Sequence, residues 1–209
     1  MPHTITPFAQ GLRERKKLKT RESIQREAMR LFAKRGYEET TIEQIAAAVE
    51  ISPSTFFNYF PTKEDVVLYD AYDPVIASLL IDRPASEPLS LAFRGVLEAV
   101  GAVFERDHDI ILARGRLWFE VPELRARVWE ELEKAQAMMG RLIAQRSGRD
   151  AGDFEIRVTV MIVIAACLEA MREWVRRDGK GSFVGLISQA LDLVDAGARL
   201  DELASPRSA

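Results

Sequence analysis

Apolar side chains recur every three or four residues along most of the chain, which is the spacing expected of helices with one buried face. A clear example is the segment 89–106, where Phe93, Val96, Val100 and Phe104 share a face. Comparable stripes predict further helices over 24–35, 41–49, 52–60, 64–81, 110–119, 122–145, 154–177 and 182–199. Prolines and glycines separate these segments, and no convincing strand alternation occurs. The pattern therefore predicts an all-α protein.

Two short helices joined by a tight turn are predicted between residues 40 and 64. Thr41 and Gln44 have the spacing of a capping box, in which two side chains satisfy backbone amides at the helix start. Ser52 and Pro53 suit the start of the second helix, because the amide that proline lacks would have no partner there. Two capped helices joined by a tight turn form a helix-turn-helix.

The second of these helices carries side chains suited to the DNA major groove. Ser54, Thr55 and Asn58 are short hydroxyl and amide groups that can reach base edges from such a helix. Tyr59 and Lys63 lie further along, where they could contact phosphates. The alternative is a helix pair of an ordinary bundle that never meets DNA, because this motif also has false matches.

Charge is unevenly distributed along the chain. The net charge is −3, but residues 1–63 carry +4 and the remainder −7. A basic end on an acidic body is expected when that end contacts phosphate. Basic residues concentrate in the segment 12–21, which we interpret as a phosphate-contacting or minor-groove arm; the alternative is a solvated basic helix start. The predicted DNA-binding residues are Arg13, Lys16, Lys17, Lys19, Thr41, Ser52, Ser54, Thr55, Asn58, Tyr59 and Lys63.

The first full helix is predicted to open at Thr20 or Ser23 and to end before Gly36, a residue suited to the position after a helix. A single helix over 64–81 is predicted to connect the helix-turn-helix to the rest of the chain. These bounds place the whole DNA-binding unit in the first third of the protein.

Composition argues against several other classes of protein. Cys167 is the single cysteine, and with His3 and His108 it forms no zinc-ligand pattern, so we expect no metal and no cofactor. The chain has no glycine-rich phosphate loop and no nucleophile elbow, so an enzyme is not expected. No apolar run approaches the roughly 20 residues of a membrane span, and the N-terminus lacks a signal-peptide layout. We therefore expect a cytoplasmic protein with no membrane partner.

Three motifs resemble the DNA-binding domain of TetR-type (tetracycline-repressor-like) regulators. They are A-x-x-L-F-x-x-x-G-Y at 28–37, T-T-x-x-x-I-A at 40–46 and S-x-x-T-F-F-x-Y-F-x-x-K-E at 52–64. Two residues depart from that pattern. Glu50 stands where the family usually has a glycine in the turn, so a left-handed backbone there would carry strain. Phe57 replaces a frequent tyrosine, which removes a possible hydroxyl-to-phosphate contact.

The resemblance implies an all-helical homodimer with a small-molecule pocket in its C-terminal domain. We expect a flexible basic arm (1–20), the helix-turn-helix domain (21–63), a ligand-binding and dimerisation domain (64–203) and a disordered tail (204–209). The expected function is that of a ligand-responsive transcriptional regulator, a repressor that leaves a palindromic operator in double-stranded DNA when a small apolar or amphipathic effector binds. The alternative is a DNA-binding regulator or architectural protein without an effector.

The last two predicted helices are apolar on more than one face, which suggests an isologous four-helix dimer interface or, alternatively, two central helices of a monomeric bundle. The predicted interface residues are Ile162, Leu168, Phe183, Leu186, Ile187, Ala190, Leu191 and Val194.

Adaptable and aromatic side chains in the C-terminal helices suggest the small-molecule pocket, although a stripe of such residues is also typical of an ordinary core. The predicted pocket residues are Phe93, Leu97, Phe104, Arg114, Trp118, Phe119, Met138, Met139, Met161, Met171 and Trp174.

Overall fold

The computed structural model describes residues 12–197, except for the side chains of Leu12, Glu14 and Arg15. Helices account for most of this range and no strand occurs in it, which confirms the predicted all-α class. The helices are α1 (Leu12–Arg35), α2 (Ile42–Ala48), α3 (Pro53–Phe57), α4 (Lys63–Leu68), α5 (Asp73–Ile81), α6 (Leu89–Arg106), α7 (His108–Glu120), α8 (Pro122–Ser147), α9 (Phe154–Arg176) and α10 (Phe183–Asp195). The segment before Leu12 and the predicted tail lie outside the described residues.

The first helix is longer than the sequence pattern predicts. It begins at Leu12, so the predicted start at Thr20 or Ser23 is wrong. The hydroxyl of Thr20 donates a hydrogen bond to the carbonyl of Lys16 (3.0 Å), which is the bond of a threonine inside a helix and not of an N-cap. The predicted end is confirmed: Gly36 has a φ of +90°, a conformation in which a Cβ would be strained.

The predicted capping groups of the helix-turn-helix are confirmed. The Thr41 hydroxyl accepts a hydrogen bond from the Gln44 amide, and the Gln44 side-chain oxygen accepts one from the Thr41 amide, both at 3.3 Å. Ser52 caps α3 by accepting a hydrogen bond from the amide of Thr55 (3.1 Å), with Pro53 in the first turn. Side chains close in sequence therefore start both helices.

The turn between α2 and α3 has a left-handed residue that is not glycine. Glu50 has a φ of +57°, in agreement with the strain predicted at this position. An L-residue in this conformation costs about 1–2 kcal/mol. The turn is held by hydrogen bonds from the amide of Glu50 to the carbonyl of Ala47 (3.2 Å) and from the amide of Ile51 to the carbonyl of Ala46 (3.0 Å).

The prediction of one helix over 64–81 is wrong, because a break that begins at Tyr69 separates α4 from α5. The side-chain amide of Gln25 donates hydrogen bonds to the carbonyls of Val66 (2.9 Å) and Tyr69 (2.7 Å), so it satisfies acceptors at the end of α4. Pro74 lies in the first turn of α5, where its missing amide does no harm. Inside a continuous helix, its ring would clash with the preceding turn.

Within the described range, the chain divides into two compact units, of which the first comprises residues 12–78 and 107–131. Helix α7 of this unit packs against both α1 and α4. Burial of the apolar stripes of α1 to α4 provides the main favourable term for this small domain. Its buried core consists of Ile24, Ala28, Met29, Leu31, Phe32, Tyr37, Ile45, Ala46, Phe56, Phe60, Val66, Val67, Leu68 and Leu124.

The second unit comprises residues 79–106 and 132–197. Within it, α10 packs against α6 and α9. Trp174 of α9 is 2% exposed; its ring stacks on Phe183 with centroids 5.0 Å apart, and its indole N–H donates to the carbonyl of Gly181 (3.1 Å). A separate buried cluster joins α8 to α9 and consists of Ile143, Ala144, Ile156 and Val160.

Candidate nucleic-acid interface

The outward face of α3, the predicted recognition helix, is formed by three residues at helical spacing. Ser54, Phe57 and the C-cap residue Asn58 are exposed, at positions i, i+3 and i+4. Phe56 is fully buried in the core, and Phe60 follows it there. The core therefore fixes which side of α3 meets solvent. Ser54 and Asn58 lie on that side, and their contact with bases stays a prediction.

The hydroxyl groups at the start of α3 form one connected cluster. The Ser52 hydroxyl lies 2.9 Å from that of Ser54 and 2.8 Å from that of Thr55. A hydroxyl is both donor and acceptor, so members of such a cluster can retain capacity for a further partner. Thr41 is likewise exposed, at the start of α2. The cluster holds short polar groups in place at the end of the helix that would enter a groove first.

Lys63 is held by groups of its own unit. Its ammonium group donates to the carbonyls of Tyr37 (2.9 Å) and Thr40 (3.4 Å) and lies 4.1 Å from the centroid of the Tyr37 ring. The Tyr37 hydroxyl donates a hydrogen bond to the Glu64 carboxylate. Burial, and to a smaller extent this carboxylate, raises the pKa of Tyr37. Tyr59 is half-buried against the core. Lys63 thus positions the connection between α1 and α2, and the phosphate contacts of Lys63 and Tyr59 stay predictions.

The start of α1 presents positive charge to solvent. Arg13, Lys16, Lys17 and Lys19 are all exposed. Arg13, Lys16 and Lys17 are at positions i, i+3 and i+4, so they share one face of the helix. Exposed cations at this spacing suit the phosphate backbone of a nucleic acid, because each phosphate they neutralise releases counterions.

Helix α7 contains a second candidate site, at two of the predicted pocket residues. Arg114 is 4% exposed; its guanidinium pairs with Asp70 (2.9 Å) and lies 4.8 Å from the centroid of the Trp118 ring. Two buried donors, Arg114 Nε and Trp118 Nε1, have no hydrogen-bond partner among residues 12–197. Buried polar groups are normally satisfied, so two such donors one helical turn apart favour an acceptor from outside the protein.

Acidic groups surround this arginine. Burial raises the pKa of Asp73 to about 7; the carboxylates of Asp70 and Glu131 act in the same direction, and Arg114 opposes them. Nearby, the Tyr72 hydroxyl donates a hydrogen bond to the Asp107 carboxylate (3.1 Å). The pKa of Tyr72 is raised mainly by burial and further by this carboxylate. Because Arg114 forms its ion pair with Asp70, a negative charge on the half-buried Asp73 has a high cost.

The start of α8 is bonded to α4. Arg127 donates to the Asp65 carboxylate (2.6 Å) and to the Thr62 hydroxyl (3.4 Å). Although burial acts in the opposite direction, hydrogen bonds from Arg127 and Thr62 hold the pKa of Asp65 below its usual value. Together with the packing of α7 on α1 and α4, these contacts connect α7 and α8 to helices on both sides of the recognition helix.

Two family models match the chain. The model of bacterial regulatory proteins of the tetR family matches residues 24–69, and the model of the MftR C-terminal domain matches residues 87–199. The second match alone covers more than half of the protein. The chain belongs to the TetR family. This family consists of DNA-binding transcriptional regulators and not of enzymes, which confirms the predicted class of function.

Individual TetR-family relatives agree with this assignment. The HTH-type transcriptional regulator TcmR of Streptomyces glaucescens is 40% identical over 82% of this chain and 80% of its own length. The putative mycofactocin biosynthesis transcriptional regulator MftR of Mycobacterium tuberculosis is 28% identical over 90% of this chain and 95% of its own. A structure of the TetR-family repressor FadR of Thermus thermophilus, in complex with lauroyl-CoA, matches with 26% identity and a TM-score of 0.54, over 90% of this chain and all of that one.

The predicted pocket residues of this TetR-family chain are divided between the units. Arg114, Trp118 and Phe119 lie on α7, and the other eight lie in the second unit. Phe104 and Trp174 pack on Phe183, with ring centroids 5.7 and 5.0 Å away. The remaining six are half-buried: Phe93, Leu97, Met138, Met139, Met161 and Met171. Their part in effector binding stays a prediction.

A half-open cleft of about 170 Å³ lies in the second unit beside Leu80 and Leu142. None of the predicted pocket residues lines it. Its polar lining residues are Arg83, Gln145 and Arg146. The guanidinium of Arg146 already donates to the carbonyls of Arg83 (2.9 Å) and Glu87 (2.9 Å) and to that of Pro84. The cleft is smaller than the roughly 300 Å³ of ordinary ligand pockets, so it is a weak candidate for the effector site.

The predicted dimer-interface residues also differ in exposure. Leu186, Ile187 and Leu191 are buried within the chain itself, so they offer no surface to a second copy. Ile162 is 46% exposed. The other four, Leu168, Phe183, Ala190 and Val194, are half-buried. Sequence analysis names Ile162 but not Phe154 or Val158 as interface residues, and these three form an exposed apolar stripe on α9 at i, i+4 and i+8.

Other site types find little support in the part of the chain that the structure describes. No helix there is long and apolar enough to cross a bilayer. No group of three or more potential ligands among the described His, Cys, Asp and Glu residues is placed to hold a metal ion. Burial raises the pKa of the Cys167 thiol to about 11, which keeps it protonated and poorly nucleophilic at neutral pH.

Proposed function

We propose that the protein is a repressor that binds a palindromic operator as a homodimer and leaves it when a small apolar or amphipathic effector binds. The observation that carries the proposal is the outward face of α3, where Ser54 and Asn58 are exposed at the spacing of base-contacting residues. The exposed cations of α1 support it. The proposal includes a DNA-binding domain at 21–63, an effector and dimerisation domain at 64–203, and action in the cytoplasm.

The dimer is supported by exposed apolar residues on α9. Phe154, Val158 and Ile162 form a stripe along one face of that helix, and Leu193 of α10 is also exposed. Contiguous exposed apolar surface on a folded protein commonly marks an interaction site. An isologous contact through such a stripe would pair two recognition helices about a two-fold axis, as a palindromic operator requires.

Substitutions on α3 and α1 are expected to separate sequence preference from general affinity. Asn58→Ala should change the preferred sequence and cost about 1–3 kcal/mol on the original site, because an amide can bond a base edge at two points. Lys16→Gln and Lys17→Gln should weaken binding to all sequences and lower the salt slope by about one for each phosphate that is no longer neutralised. Enrichment of a random duplex pool, followed by fluorescence anisotropy at several salt concentrations, measures both effects.

The matched control for these variants is Lys180→Gln, at an exposed lysine of the second unit. This variant should keep the sequence preference and the salt slope of the unchanged protein. If Asn58→Ala enriches the same sequences with the same affinity, the outward face of α3 does not contact bases and the proposal is contradicted.

The effector part of the proposal is supported by the two unpaired donors of α7. Arg114 Nε and Trp118 Nε1 are buried and could both donate to an oxygen atom of an effector. Helix α7 packs against α1 and α4, which lie on either side of the helix-turn-helix. An effector bound at α7 would change DNA affinity to the extent that it prefers one arrangement of these helices. The FadR relative holds lauroyl-CoA, which is an amphipathic molecule of the proposed kind.

Lauroyl-CoA is therefore the first probe to test. It is expected to raise the melting temperature and to weaken DNA binding about 5–150-fold, the usual range of allosteric coupling. Trp118→Phe should reduce both effects, because it removes one donor and keeps an aromatic ring. The controls are coenzyme A without an acyl chain and Trp129→Phe, at an exposed tryptophan. If neither an acyl-CoA series nor a metabolite panel changes DNA binding, the alternative without an effector is favoured.

A further inference from the structure

The recognition helix exposes an aromatic side chain that the expected polar contacts leave unexplained. Phe57 is 50% exposed, and it lies between Ser54 and Asn58 on the outward face of α3. Its ring packs edge-on against the buried Phe56, with centroids 5.7 Å apart and planes at 90°. Phe56 itself has no exposure, so it gives the neighbouring ring a fixed support. The half of Phe57 that remains exposed is therefore presented on the same side as the two polar residues.

The chemistry of this face limits what the ring can contact. A phenyl ring neither donates a conventional hydrogen bond nor carries charge, so it cannot replace the hydroxyl-to-phosphate contact that a tyrosine would make. Its two exposed neighbours on α3 are an alcohol and an amide, which suit base edges. In the major groove, the apolar group available to such a ring is the C5-methyl of thymine.

We propose that Phe57 determines sequence specificity by packing against a thymine C5-methyl group in each half-site of the operator. The inference rests on the proposed function, because it requires α3 to enter the major groove. It extends that function by naming an apolar contact and the base that supplies it. Phe57 acts through shape and desolvation, whereas Ser54 and Asn58 supply hydrogen bonds beside it.

Replacement of single thymines by deoxyuridine tests the contact directly, because it removes the methyl group and leaves base pairing unchanged. The full-length protein is used to enrich a random duplex pool, and each thymine of the enriched site is then replaced in turn. At one position per half-site, the affinity of the unchanged protein should fall about fourfold, the effect of one buried methylene-sized group. Phe57→Ala should bind both duplexes equally, and Phe57→Leu should retain part of the difference.

Phe57 is half-exposed, so these variants are expected to fold, and circular dichroism with the melting temperature checks that they do. The inference is overturned if no thymine replacement changes affinity, if the enriched site has no thymine in its half-sites, or if Phe57→Ala keeps the full fourfold difference. In all three cases the protein still selects a sequence, so the proposed function stands. If no sequence is enriched at all, the proposed function fails and this inference fails with it.

Discussion

Asp73→Asn is expected to stabilise the folded protein by about 2–4 kcal/mol at pH 8 and by much less at pH 5. Burial raises the pKa of Asp73 from 3.8 to about 7. The native protein therefore binds more protons than the unfolded chain between those two values, so this residue makes stability fall as the pH rises through that window. Above it, the charged carboxylate carries its full cost. Asparagine has nearly the same shape, carries no charge and avoids that cost.

Urea unfolding of both proteins at pH 5, 6, 7 and 8 measures this effect, and the difference between them isolates residue 73 from other titrating groups. The matched control is Asp82→Asn, at an exposed aspartate. It should change stability by less than about 0.5 kcal/mol at every pH. An Asp73→Asn protein that is less stable than the original at pH 8 would show that the charged form of Asp73 is stabilised by its surroundings, contrary to this account.

The position of Asp73 explains why such a cost can be retained. Asp70 takes the ion pair with Arg114, and the same helix as Arg114 carries the unpaired donor of Trp118. Conflicts of this kind, such as a half-buried acid in excess and buried donors without acceptors, are uncommon in folded proteins and concentrate at functional sites. Their coincidence in one part of the first unit favours α7 as the place where an effector is bound.

The start of each helix in the helix-turn-helix could be predicted because its cause is local. Thr41 and Gln44 are three residues apart, and their mutual hydrogen bonds require only that spacing. The break at Tyr69 has a different origin. Gln25 satisfies the carbonyl of Tyr69 from 44 positions away in sequence, and no local pattern contains that contact. Pro74 is a nearby sequence signal for a helix break, but the apolar periodicity of residues 64–81 favours one continuous helix in the prediction.

Predictions about single side chains depend on whether burial or chemistry decides their role. Ser54 and Asn58 are correctly predicted to face outward, because the buried Phe56 fixes the orientation of α3. The resemblance to the TetR family draws attention only to the hydroxyl group that Phe57 lacks. Its helical position, however, already places Phe57 beside Ser54 and Asn58. Leu191 is predicted to lie in a dimer interface, yet its own chain already buries it. Periodicity shows that a residue is buried but not whether its own chain or a partner buries it.

Trp174→Ala is expected to destabilise the protein by about 3–5 kcal/mol, the usual cost of removing a large buried aromatic side chain. Trp174 is 2% exposed, so the change would leave a cavity beside Phe183 and would remove the hydrogen bond to the carbonyl of Gly181. Trp174→Phe keeps the stacking and part of the volume, and should cost about 1–2 kcal/mol less than the alanine variant.

Urea unfolding at one fixed protein concentration measures these differences, because the proposed dimerisation would make apparent stability depend on concentration. Trp129→Ala, at a tryptophan that is 59% exposed, is the control and should cost about 1 kcal/mol or less. The experiment also distinguishes two roles for Trp174. The sequence predicts that it lines the effector pocket, whereas the structure packs it against Phe183 in the core of the second unit. If Trp174→Ala leaves stability nearly unchanged but alters the response to lauroyl-CoA, Trp174 lines an effector pocket. In that case, its burial in the second unit does not stabilise the folded protein.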